Sequence, residues 1–125
     1  MDLVRREQLP QQDLLGRSIW KAFGEKAVFP DNVSGGFARF SLQHGKMKAH
    51  RHERELILVL DAQGAAVRYG PSPEGMGEAV ALQKGDFLRM QEGEWHIFDL
   101  ADENSYLDIL WFFGVAANHT EDADL

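Results

Sequence analysis

The 125-residue chain has no cysteine. Disulfides and thiolate ligands are therefore excluded, and any metal it holds must be bound through nitrogen and oxygen. No apolar run approaches the length of a membrane span, and the opening residues, Met1 to Pro10, lack the apolar segment of a signal peptide. Both absences lead to the expectation of a cytoplasmic protein with no membrane partner. Positive charge is also scarce: 13 Lys and Arg stand against 20 Asp and Glu, a net charge of −7. The basic residues are scattered except around Lys46, Lys48, Arg51 and Arg54, which argues against a phosphate-binding face and against nucleic acid as the main partner.

What is present is a series of short β-prone runs cut by glycine and proline. With 44% hydrophobic residues, the chain suits one domain with a real core, spanning 1–125, with an N-terminal arm over 1–13 and a polar, acidic tail over 115–125. Leu14 to Phe23 reads as a strand centred on Ile19, Trp20 and Phe23. Phe37 to His44 alternates, and shorter strands are expected over Ala65 to Tyr69, Ala79 to Leu82, Phe87 to Met90 and Ile97 to Leu100. Tyr106 to Phe113 is the most apolar strand, and Asp108 is the single charge inside it. On the alternation Asp108 shares a face with Tyr106, Leu110 and Phe112, where a carboxylate must be hydrogen-bonded, paired or neutralised. Tyr106 and Asp108 are thus the candidate proton-transfer residues, with pairing of Asp108 to an arginine such as Arg39 or Arg89 as the alternative. Many short strands and no long helix indicate an all-β sandwich or barrel.

The stretch from Gly45 to Glu55 carries the chemistry. His50 and His52 are two apart, and on an extended strand such residues share a face about 6–7 Å apart, close enough for both imidazoles to reach one ion. Strict alternation turns Glu53 and Glu55 away from them. A carboxylate can join only if a bulge or corner, at Glu53 or Arg54, breaks the strand after His52. A break that turned Glu55 inward would also bring Ile57 and Val59 beside the ion. Taken alone, a strand rich in Lys, Arg, His and Glu is also what a solvated face looks like. A second stretch, Gly85 to His96, is a strand ending in a turn at Gly93 that presents a third imidazole. His44 and His119 are left out of the set, as lone histidines at a strand end and in the tail.

With these residues the sequence resembles the cupin superfamily, whose first motif reads Gly-x5-His-x-His-x3,4-Glu-x6-Gly and whose second reads Gly-x5-Pro-x-Gly-x2-His-x3-Asn. Carried over by position, the resemblance implies His50, His52, Glu55 and His96 as metal ligands. Gly85, Gly93 and His96 keep the second motif's spacing. The first motif is shorter here, with four residues between Gly45 and His50 and two between His52 and Glu55. Ala62 stands at its closing glycine, Gln91 at the proline and Leu100 at the asparagine. The implied fold is a double-stranded β-helix, a cupin jelly-roll barrel whose mouth is lined by the motif residues. Small cupins often pair, and Trp20, Phe23 and Phe29 would make an apolar patch for a homodimer.

Three imidazoles and a carboxylate leave two octahedral positions open, as in non-haem iron and manganese sites; without the carboxylate, three imidazoles and a water suit zinc. The expected cofactor is a divalent transition metal, iron, manganese, zinc or nickel. Such an ion would hold a small molecule presenting two adjacent oxygens, with Trp95, Phe98 and Phe112 as walls. The functional reading is a metal-dependent dioxygenase, isomerase or lyase acting on a small organic acid, sugar or aromatic. The alternatives are a non-catalytic metal-dependent binding or sensing module and an inert structural cupin.

Overall fold

The computed structural model describes residues 1–124. Two antiparallel sheets face each other. The larger takes β1 (Gln11–Leu14), β2 (Arg17–Gly24), β4 (Ser34–Phe40), β11 (Tyr106–Phe113), β6 (Glu55–Gln63) and β9 (Phe87–Met90) in that spatial order. A short β3 (Phe29–Pro30) runs parallel to the end of β2. The smaller sheet runs β12 (Glu121–Asp122), β5 (His50–Arg51), β10 (Trp95–Leu100), β7 (Ala65–Gly70) and β8 (Val80–Ala81). The chain is therefore all-β with the cupin jelly-roll arrangement.

Period-two patterning puts the core between the sheets. Leu107, Ile109, Trp111 and Phe113 are buried on the inner face of β11, and Glu55, Ile57 and Val59 on that of β6. A register shift where β11 crosses β6 pairs Asp108 with Asp61 but Ile109 with Val59, leaving Leu60 as the extra residue. Such a bulge reverses the facing of β6 beyond it, which is why Ala62 rather than Asp61 packs toward the core.

Both ends of the chain are tied down. Residues 11–13 of the expected arm join Leu14 in β1, and Arg6 reaches back over the outer face of the larger sheet to form a two-pronged ion pair with Asp108, with contacts of 2.8 and 2.6 Å. The same guanidinium lies 4.7 Å from the Trp20 ring and 4.6 Å from the Phe37 ring, so Trp20 of the expected patch is covered by the arm. In the tail, β12 adds to the edge of the smaller sheet beside β5, and Ala123 donates its amide to Ala49 O at 2.8 Å. Among the described residues no helix is long and apolar enough to cross a membrane.

Candidate metal centre

The sheet crossing builds the site. β5 belongs to the smaller sheet and β6 to the larger, so the chain must leave one and enter the other over residues 52–54, where strand geometry is interrupted. This is the break that the inward turning of Glu55 requires. His50 sits directly opposite His96 of β10 in the strand register, which sets both imidazoles on one face. His52 follows at the crossing, and Glu55 enters from the opposing sheet. Gly93 makes the turn before β10 at φ 75°, a conformation that disfavours side chains, and donates its amide to His52 O at 3.0 Å. That bond joins the turn that presents His96 to the segment that carries His52.

His50, His52 and His96 are all buried, with ligand nitrogens within 4.8 Å of one another. Their ring centroids stand 4.4 to 5.3 Å apart. Each Nδ1 faces a backbone carbonyl: Lys48 O at 3.1 Å for His50, Glu53 O at 2.7 Å for His52 and Glu94 O at 3.1 Å for His96. A carbonyl only accepts, so each Nδ1 carries the hydrogen and each neutral ring has its lone pair on Nε2. Glu55 brings an oxygen to 3.5 Å from His52 Nε2 and 3.9 Å from His96 Nε2.

Electrostatics keep the rings neutral. Burial lowers the pKa of His50 to about 4 and that of His96 to about 3, and lowers that of His52 as well. Neighbouring imidazoles push the same way at His50 and His96. Burial raises Glu55 to about 8, against a smaller opposing pull from Arg17. His96 Nε2 is buried with no hydrogen-bond partner. An unpartnered buried acceptor costs about 1–3 kcal/mol, and a cation set among these nitrogens would remove that cost. The donor set, three neutral imidazoles beside a carboxyl, fits a divalent transition metal.

His50, His52 and Glu55 open on a cavity of about 360 Å³. Its dry wall comes from Phe40, Phe98, Ile109, Trp111 and Phe113, the last with its ring 4.7 Å from that of His52. Phe98 was expected there. Trp95 is buried elsewhere, under Arg51 at 4.9 Å, and Phe112 points out of the barrel with Leu110. β2 contributes Arg17, Ile19 and Lys21, and the tail contributes Asn118, Thr120 and Asp122. Sequence reasoning missed both contributions. The β2 side chains carry a period-two signal, but the tail carries none.

Tyr106 and Asp108 are not brought to this group. They lie on the opposite face of β11 from Ile109, Trp111 and Phe113; Tyr106 donates its hydroxyl to Asp61 at 2.8 Å, and Asp108 is held by Arg6. The pairing alternative for Asp108 thus describes its surroundings, with Arg6 in place of Arg39 or Arg89. Glu53 also turns away, accepting from the backbone and ring nitrogens of His119.

No family model matches the chain, and no curated protein matches it by sequence. Solved structures do. The polyketide cyclase RemF from Streptomyces resistomycificus superposes with a TM-score of 0.74 at 16% identity, over 100% of this chain and 87% of that one. A protein from Planctomyces limnophilus gives 0.71 at 15%, over 92% and 90%. Lactobacillus farciminis oxalate decarboxylase gives 0.69 at 16%, over 93% of this chain but only 34% of its own length. At these identities the likeness establishes the fold.

Proposed function

Because this chain is a cupin-fold protein, we propose that it is a metal-dependent enzyme acting on a small molecule held in the barrel cavity, with His50, His52, Glu55 and His96 binding a divalent transition metal. The observation that carries the reading is the unpartnered, buried Nε2 of His96, converging with two further neutral imidazoles. Structural neighbours named as a cyclase, a decarboxylase and a hydroxypropylphosphonic acid epoxidase, the last with an iron(II) form, support small-molecule chemistry at such a centre. Bound there, the metal would supply a Lewis acid with open positions for two ligand oxygens. The chain's own residues do the rest: the Nδ1 bonds fix ring orientation and tautomer, the aromatic wall excludes water from one face of the ligand, and Glu55 closes the ligand set from the second sheet.

A dioxygenase, isomerase or lyase reaction is the finer proposal. One observation favours a non-catalytic binding module instead: with Tyr106 and Asp108 outside the barrel, Asp122 is the one carboxylate beyond Glu55 that lines the cavity among the described residues. Elemental analysis of untagged protein should find close to one transition metal per chain, lost in the His50→Ala, His52→Ala double variant. Equal metal content in the two proteins overturns the reading. Metal-loaded protein that binds a ligand without converting it, in air or under argon, selects the binding module.

A further inference from the structure

Two cations inside the cavity are unexplained by a metal centre alone. Arg17 and Lys21 lie on one face of β2, with Ile19 between them, and all three line the cavity that holds His50, His52 and Glu55. Their partners across β4 are Phe40 and Gly36, which offer them no charge. Among the described residues neither cation forms an ion pair, and the hydrogen bond Arg17 makes is to Leu15 O at 3.1 Å. Arg17 is close enough to the histidines to oppose their protonation. A cation set beside a metal repels it, and a partly buried guanidinium with no carboxylate in contact is costly. Such a placement makes sense if the missing anion arrives with the ligand.

We propose that the ligand of this cavity is a small carboxylic acid, bound with its carboxylate against Arg17 and with Lys21 as a second positive group. This rests on the reading of the histidines as a metal centre and narrows the substrate class to anionic acids, away from neutral sugars and catechols. A guanidinium matches a carboxylate with two parallel N–H donors. The cavity volume, about 360 Å³, sits near the lower end of small-molecule sites, which suits an acid of a few carbons. Asp122, on the tail, and Glu55 are the acidic groups that share the cavity with Arg17; both attract the guanidinium without forming an ion pair with it.

The test uses full-length protein, loaded with metal or stripped, and compares pyruvate, 2-oxobutyrate and lactate with methyl pyruvate and methyl lactate by thermal shift and calorimetry. The acids should raise Tm and the esters should not. In Arg17→Gln the apparent dissociation constant of the acids should rise at least roughly tenfold, the scale of a lost charge-assisted pair, while metal content stays at wild-type level. Lys21→Gln, at an independent position, should show a smaller loss, and Arg17→Lys should recover part of the affinity. Equal binding of acids and esters, undiminished acid binding in Arg17→Gln, or no binding of any acid overturns the proposal. Absence of metal from wild-type protein instead overturns the metal reading, and acid binding to stripped protein that still depends on Arg17 then upholds this one.

Discussion

At the scale of single residues, the histidines are placed at the expense of stability. His96 is 1% exposed and leaves its Nε2 unpartnered, an arrangement a fold would not keep for packing alone. His96→Leu, close in volume, should abolish metal binding yet raise the Tm of metal-stripped protein, by about 1 kcal/mol of stability if the unpartnered acceptor is relieved. A stripped variant less stable than stripped wild type would make His96 a structural residue. The pH profile follows from the same burial. For the histidines the folded pKa lies below the ordinary 6.5. Below pH 6.5 the folded state therefore holds fewer protons than the unfolded chain, and stability falls as pH is lowered. Glu55 has the opposite sign, about 8 folded against 4.5, so its contribution is lost as pH rises toward 8. Three rings outweigh one carboxyl below pH 6.5 and Glu55 acts alone above it. Chemical unfolding of stripped protein should thus show greatest stability near about pH 6.5; a profile rising steadily to pH 8 contradicts this assignment of Glu55.

Among the elements, the two chain ends attach at different places, the arm on the outer face of the larger sheet and the tail at the edge of the smaller one. Arg6 pins the arm to β11 through a two-pronged contact that is partly buried, with 12% of the Asp108 side chain exposed. Asp108→Asn should lower stability by about 1–2 kcal/mol, the buried-pair cost discounted for partial solvation, and leave metal content unchanged. A loss of metal in that variant would tie Asp108 to the site after all. The tail borders the cavity and is held there by β12, the Arg51–Glu121 ion pair at 2.8 Å and the Glu53–His119 contact at 2.9 Å. These contacts are largely exposed, so truncation after Val115 should leave the barrel folded and speed the removal of metal by a chelator. Unchanged chelation kinetics would show that the tail does not gate access. Neither device was legible beforehand, because pairing of residues 102 apart leaves no local pattern. What was legible is local: the alternation of Tyr106 to Phe113 matches β11 end to end, and the two-residue spacing of His50 and His52 with the Gly93 turn before His96 marks the histidine group. Arg17 lay within an expected strand, but which face of β2 looks inward is decided by the sheet opposite it.

For the whole molecule, the position of the site between the sheets would make a metal bound there a clamp. His50 and His96 stand on the smaller sheet and Glu55 on the larger, and His52 lies where the chain crosses between them. In the stripped protein this junction holds three unprotonated rings and a carboxyl whose nearest approach to them is 3.5 Å, outside good hydrogen-bond distance. Binding to the folded state alone stabilises by mass action, about 2.7 kcal/mol at a hundredfold excess over the dissociation constant. For a chain of this size that corresponds to a rise in Tm of roughly 10 °C. The same experiment on Glu55→Gln separates a clamp from a one-sided site. If Glu55 joins the sheets through the metal, the variant should still bind metal on its three histidines but gain clearly less Tm, while Glu53→Gln, whose residue faces His119, should gain as much as wild type. Equal gains for Glu55→Gln and wild type would place the metal on the histidines alone and leave the two sheets joined by their apolar core.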